Sequence, residues 1–396
     1  MRVGIIGCGN ISDIYATNGP LFRDIDFVAC ADVIPAAADR LAGKFGLRQM
    51  TVGALLAADD IDAVLNLTIP GVHAEVSMAA IANGKHVYSE KPLTTNLNDG
   101  AAIVRAAAAA GLRVGAAPDT VLGAGIQRAR QALDVGEVGQ ILTGTAAIMS
   151  KGMEHWHPNP AFFYQPGGGP VLDLGPYYIT TLITLLGPVQ SVRATGQISP
   201  VARRFGAEGP NKGKTFPVDT FTTVNAVLSF VSGANISFIA SWDVWRHGML
   251  PFELHGTGAS LRVPDPDTFG GAVEISSNEP QLNMHDPEQA ALKGQRVDWR
   301  VIPTQDLVFG SINYPFGNPV TANYRGLGLA EMARAIVEDR PHRASGELAL
   351  HVLAVMLGIL EAAETDGIVA ISHGCAAPAA LTEGEAAGLL RAKAAG

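Results

Sequence analysis

Lys91, Asp173 and Tyr177 are the side chains on which a chemical reading of this sequence rests. Lys91 stands in Glu90-Lys91-Pro92, which follows the run His86-Val87-Tyr88 after the single residue Ser89. An ammonium and a carboxylate at the carboxyl end of a buried strand lie where open parallel sheets receive ligands, and Pro92 turns the chain there. The ordinary alternative for such neighbours is a solvated turn. Asp173 and Tyr177 are four residues apart, so a helix over 171–186 sets them on one face, one turn from each other. A carboxylate and a phenol so placed orient a substrate hydroxyl and move its proton. A free phenol titrates near pH 10, too high for base work at neutrality, and a nearby ammonium is expected to lower it. Lys91 and Tyr177 are therefore read as one unit, with His157 as the reserve proton carrier.

These residues need elements to hold them. Val3-Gly4-Ile5-Ile6 reads as a strand, Gly7-Cys8-Gly9-Asn10-Ile11-Ser12 as a turn, and 13–21 as a helix. Gly7 permits the tight turn, Gly9 lets a pyrophosphate approach the backbone, and beyond Asn10 and Ile11, themselves candidate cofactor contacts, the helix start offers N–H groups that lack intrahelical acceptors. Ser12 replaces the third glycine of the dinucleotide fingerprint. The next apolar run, 27–31, ends at Asp32, 23 residues beyond Gly9, where a carboxylate would bond an adenosine ribose and repel a 2'-phosphate. No arginine immediately follows Asp32, so NAD is expected over NADP. A helix cap before Pro35 is the plain alternative for this carboxylate.

Strands and helices continue to alternate through 36–117, which implies right-handed crossovers and a parallel sheet. Thr68, Pro70 and His73 fall at the end of the strand over 61–68, on the rim of the glycine turn, where they would line the cofactor ribose; His73 serves equally as a structural helix start. Beyond Asp119 the pattern changes to long strand runs at 141–150, 189–198, 221–230, 234–244 and 252–261, with Gly256-Thr257-Gly258 as a hairpin turn. The fold class is thus an α/β Rossmann domain over 1–120, with a doubly wound parallel sheet. An α+β domain over 121–396 follows, with a large, mainly antiparallel open sheet and terminal helices near 325–364 that return to the first domain.

Trp156, His157 and Asn159 lie in a polar, aromatic loop before the 171–186 helix and are candidates for substrate contacts, Trp156 as a sugar-stacking ring or as loop core. His155 and His157 are two apart, which is no standard zinc spacing, so no metal site is expected. The 396 residues are 47% hydrophobic with mean hydropathy +0.20, as a globular chain requires. A formal charge of -9 argues against general nucleic-acid affinity. Three scattered cysteines, Cys8, Cys30 and Cys375, suit buried thiols in a reducing compartment. No apolar run of membrane length and no signal-type opening is read, so a cytoplasmic, membrane-free protein is expected.

The turn at Gly7, the triplet Glu90-Lys91-Pro92 and the segment Gly167-Gly168-Gly169 leading to Asp173 fall in the order of a known family. The chain resembles the glucose-fructose oxidoreductase and inositol dehydrogenase (Gfo/Idh/MocA) family over nearly its whole length. The resemblance implies a Rossmann domain and an open-sheet domain that often forms a homo-oligomer, dimer or tetramer. It also implies NAD(P)-dependent oxidation or reduction of sugars, polyols or related compounds. Lys91 would contact the nicotinamide ribose and the reacting hydroxyl, and Asp173 would orient the substrate. Many relatives carry histidine four positions after the aspartate; this chain has Tyr177, as some members do. Two other functions remain open on sequence grounds: glycosidic-bond cleavage by transient NAD-dependent oxidation, and non-catalytic nucleotide binding.

Overall fold

The computed structural model describes residues 1–276, 285–290, 299–313 and 321–392. Short runs, apolar except in β3 and cut by glycine and proline, fold as β1 (Arg2–Ile6), β2 (Asp26–Ala31), β3 (Arg48–Met50), β4 (Ala63–Asn66), β5 (His86–Ser89) and β6 (Val114–Ala116). Between them run α1 (Asn10–Asn18), α2 (Pro35–Phe45), α3 (Val52–Ala57), α4 (His73–Ala82) and α5 (Leu97–Ala109). The strands pair in parallel in the order β3-β2-β1-β4-β5-β6, with Ile5 beside Cys30 on one side and Leu65 on the other. All four residues of β4 are buried, as a strand covered by helices on both faces must be. The strand order reverses beside β1, so the ends of β1, β4 and β5 share one crevice.

Longer alternating runs build the second half. After α6 (Ala124–Asp134) come β7 (Ile141–Met149), α7 (Pro170–Leu186), β8 (Val189–Gln197), the ribbon β9 (Arg203–Arg204) with β10 (Thr215–Phe216), β11 (Thr223–Phe230) and β12 (Asn235–Ser241). Then follow β13 (Phe252–Gly256), β14 (Ser260–Val263), β15 (Val273–Ser276), the single turn α8 (Pro287–Ala290) and β16 (Trp299–Ile302). The chain closes with α9 (Leu327–Val337), α10 (Gly346–Thr365), β17 (Ile368–Ala370) and α11 (Glu383–Leu389). Nine of these strands form one sheet, β16-β15-β14-β13-β7-β12-β11-β8-β17, antiparallel except between β7 and β12. In β11, Val224, Ala226, Leu228 and Phe230 are buried while Asn225 and Val227 face out. Helices α7 and α10 cover the buried face.

The short strands β15, β16 and β17, the β9–β10 ribbon and the seven-residue α11 were not expected from the sequence; strands of two to four residues and a helix of two turns carry too little periodicity to be read. The 20-residue α10 is long and apolar enough to cross a membrane by length and composition, although Glu347, His351 and Glu361 interrupt its apolar run. Its carboxylates, Glu347, Glu361 and Glu364, gather at its ends, and its middle is core, packed on β8, α7 and α5. Ser345 caps it by accepting from the Leu348 N–H. Truncating Leu353, which is 1% exposed there, to alanine would cost about 2–5 kcal/mol.

Candidate active site

At the end of β1 the chain presents backbone rather than side chains. Gly7 has φ +99°, and a Cβ there would lie 2.5 Å from the Leu67 carbonyl, so only glycine fits. A Cβ on Gly9 would meet nothing within 4 Å, because this glycine borders open space beside the start of α1. Asp32 fastens the turn: its carboxylate accepts from the Cys8 N–H at 2.7 Å and from the Ile34 N–H at 2.8 Å. Lone pairs remain for a ribose hydroxyl. Asn10 is exposed and Ile11 half-buried at the first helical positions. Arg40, which the sequence reading missed, donates to the Cys8 carbonyl at 2.9 Å, with its charge taken up by Asp13 at 2.7 Å. An open glycine cradle, a free helix start and a carboxylate at the second strand's end fit a dinucleotide.

Behind this turn, polar ties set the rim. Asn66 donates to the His73 carbonyl and Ser77 and accepts from Thr68. His73 is fully buried, its ring nitrogens 2.7 Å from the Pro92 carbonyl and 2.9 Å from that of Thr68. Of the two expectations for His73 this burial favours the structural one: the ring sits between two loops, within hydrogen-bond reach of a carbonyl on each. Thr68 and Pro70 stay half-buried on the rim.

Glu90 acquires a role the sequence left open. Its carboxylate accepts from the buried Tyr15 hydroxyl at 2.9 Å and from the Lys91 N–H at 2.9 Å, which fixes the direction in which Lys91 leaves β5. The Lys91–Pro92 peptide is cis. Lys91 Nζ then crosses to α7, where it donates to the Asp173 carbonyl at 2.7 Å and to its carboxylate at 3.2 Å, and lies 5.2 Å from the centre of the Tyr177 ring. Burial alone would lower this ammonium; the facing Tyr177, Asp173 and Glu90 outweigh it and raise Lys91 above the usual lysine range. Residues 82 apart in the chain thereby meet in one cleft of about 360 Å³, lined also by Ser150, His155, Trp156, Phe163 and Asp267.

The expectation that Lys91 makes Tyr177 a ready base is overturned. Tyr177 is 7% exposed, and burial, with Asp267 adding to it, pushes its phenol up to about 12 despite the opposing charges of Lys91 and Arg325. At neutral pH the lysine and the tyrosine both hold their protons. Arg325, unforeseen as a site residue, donates to the Tyr177 oxygen at 3.3 Å and to Asp267 at 3.1 Å. Asp119, buried beneath, accepts from the Gly326 and Gly328 N–H groups at 3.0 Å and so anchors the segment that delivers Arg325. No sequence spacing links Asp267 or Arg325 to Lys91; only the arrival of 265–267 and 323–325 at the same cleft does so.

The loop residues divide. Trp156 lines the cleft and is 57% exposed, but it is His155 that joins it there. His157 turns aside, packed edge-on against Trp156 and Phe163, and accepts from the Asn159 N–H. That leaves Asn159 exposed and away from Lys91. Behind the loop, Arg203 on β9 donates to Glu154 at 2.7 Å and to Asp243, stapling the ribbon against it. Among the described residues no group of His, Cys, Asp and Glu is arranged to hold a metal ion.

Known proteins share this fold. Residues 1–117 match the family model for an oxidoreductase family with an NAD-binding Rossmann fold, and 126–262 match the GFO/IDH/MocA C-terminal domain. Inositol 2-dehydrogenase of Rhizobium meliloti is 38% identical over 93 residues, 24% of this chain and 28% of that one. 1,5-anhydro-D-fructose reductase of Ensifer adhaerens is 27% identical over 66% of this chain and 74% of its own. The matched stretch spans 28% to 62% of the length of the first four curated relatives. The structure of a levoglucosan dehydrogenase in its apo form superposes with a TM-score of 0.77 at 21% identity, covering 95% of this chain and 99% of that one, a likeness of fold. The chain therefore belongs to the GFO/IDH/MocA oxidoreductase family, with the NAD-binding Rossmann fold at its N-terminal end.

Proposed function

We propose that the protein is an NAD-dependent oxidoreductase that interconverts a hydroxyl and a carbonyl on a sugar, polyol or related compound. The observation that carries this reading is the Lys91 ammonium held 3.2 Å from the Asp173 carboxylate and beside Tyr177, at the same crevice as the glycine turn. Gly7, Gly9, Asn10 and Ile11 would hold the cofactor's pyrophosphate, Asp32 its adenosine ribose, and Thr68, Pro70 and Lys91 the nicotinamide end. NAD supplies a two-electron acceptor or donor, exchanging hydride with the carbinol carbon.

In the reducing direction the Tyr177 phenol gives its proton to the carbonyl oxygen while Lys91 stabilises the negative charge developing there. Oxidation runs the same step backwards, the hydroxyl proton passing to the Tyr177 oxygen as the carbon–hydrogen bond breaks. Asp173 orients the substrate and holds Lys91 in place, and Trp156 offers a ring face to the sugar's C–H groups. Because Tyr177 is raised, oxidation should accelerate from neutral toward alkaline pH, and reduction should proceed across the neutral range. We further propose a homo-oligomer formed through the outer face of the nine-stranded sheet, where Val227 and Ile368 stand exposed, in a reducing, cytoplasmic setting consistent with three free thiols.

The test is a screen of neutral sugars, inositols and sugar acids with NAD and with NADP, following absorbance of the reduced cofactor. Turnover with NAD and a hydroxylated substrate supports the reading. Failure of every substrate with both cofactors, in a protein that does not bind NADH, would sink it.

A further inference from the structure

Arg325 and Asp267 lie beside Tyr177 with no part assigned to them. Arg325 is delivered by the 323–326 turn, whose backbone is held by Asn18, Asn323 and Asp119. Its side chain is 15% exposed, while that of Asp267 is 47% exposed and borders the cleft. A guanidinium has donors only, so in the 3.3 Å contact the Tyr177 oxygen must be the acceptor. That fixes one side of the phenol. Among the described residues no acceptor takes the phenol's own hydrogen, and the open direction is the cleft.

Charge sets a second condition. The groups facing Tyr177 are Lys91 and Glu90 from the end of β5, Asp173 from its own helix, Asp267 from the loop after β14, and Arg325 from the segment before α9. Lys91 is paired with Asp173 and Arg325 with Asp267, so neither cation is left over for a substrate carboxylate. A sugar acid entering here would meet three carboxylates, Glu90, Asp173 and Asp267, against two cations that are already paired, a net like-charge cost that an uncharged polyol escapes.

We infer that Arg325 and Asp267 are a positioning and specificity pair: Arg325 holds the Tyr177 oxygen so that its hydrogen faces the substrate, and Asp267 cancels the guanidinium charge, so that the cleft takes uncharged hydroxylated substrates and turns sugar acids away. The inference rests on Tyr177 being the proton carrier. Arg325 acts through Tyr177 and not on the substrate, whereas Asp267 acts on which substrate enters.

The test compares wild type with Arg325→Met, Arg325→Lys, Asp267→Asn and Tyr177→Phe, using a neutral polyol and the sugar acid of the same skeleton. Oxidation is followed across the alkaline range. Arg325→Met should move the rising limb of kcat up by about one pH unit, which slows oxidation about tenfold at a fixed pH on that limb. Asp267→Asn should move it down and raise the sugar acid's kcat/KM relative to the polyol's by about tenfold. Arg325→Lys should restore most of the limb's position. Identical limbs in Arg325→Met and Asp267→Asn, or an unchanged preference in Asp267→Asn, would overturn the inference. A Tyr177→Phe enzyme as fast as wild type would overturn the underlying reading instead.

Discussion

The nucleotide turn and the Lys91 cleft sit on one crevice yet are built in opposite ways. The turn is made of backbone: Gly7 for its φ of +99°, Gly9 for its empty flank, and the N–H groups that open α1. The cleft is made of side chains brought from β5, α7, the loop after β14 and the segment before α9. Damage to the turn should therefore appear in folding and cofactor affinity, and damage to the cleft in turnover with both of those preserved.

The largest expected effect sharpens that division. Lys91→Ala should lower kcat about a thousandfold, because it removes the charge that stabilises the developing oxyanion. NADH fluorescence titration should show cofactor affinity within about fivefold of wild type, since one lost ribose contact is worth about 1 kcal/mol. Comparable losses in both would dissolve the distinction between the two regions.

Two glycines a single residue apart test the other side. Gly7→Ala puts a methyl 2.5 Å from the Leu67 carbonyl on a left-handed backbone and should cost about 3 kcal/mol in urea unfolding. Gly9→Ala meets nothing and should leave unfolding within about 0.5 kcal/mol of wild type while weakening NADH binding about tenfold, the methyl filling the pyrophosphate's approach. If the two variants behave alike, the turn is only a turn.

Asp119 gives the smallest effect. Burial raises its carboxyl to about 6, against the pull of the Gly328 and Gly326 N–H groups and Arg325. A folded-state value above the unfolded one means that the native state binds the extra proton, so this group's contribution to stability declines as pH rises from about 4 to about 6. Asp119→Asn should remove roughly 1–2 kcal/mol of that decline when unfolding curves at the two pH values are compared with wild type. An unchanged slope would detach Asp119 from the anchoring of Arg325.

The same contrast explains what could be read from the sequence. Gly7, Gly9 and Asp32 announce themselves because a turn is encoded by adjacent residues and by one fixed interval to the next strand. Lys91, Asp173 and Tyr177 were legible through the strand end and the helical spacing, although 80 residues lie between Pro92 and Asp173 in the chain. Arg325 and Asp267 were not, since their partnership exists only after two remote loops pack together. The state of Tyr177 was misjudged because a sequence shows that an ammonium is near but not that burial outweighs it. His73 takes its structural alternative and His157 turns from the cleft for a related reason: a histidine's use depends on which carbonyls and rings surround it, here Thr68, Pro92, Trp156 and Phe163.

The most direct measurement of the central claim follows a label. A neutral polyol carrying deuterium at its reacting carbon is incubated with NAD and either wild type or Lys91→Ala, and the isolated cofactor is examined for deuterium at nicotinamide C4. Wild type should place the label there with a primary isotope effect, and Lys91→Ala should transfer about a thousandfold more slowly at full cofactor occupancy. Equal transfer by the two proteins would contradict the role given to Lys91, and cofactor bound by wild type without any label acquired from a substrate panel would contradict the proposed chemistry.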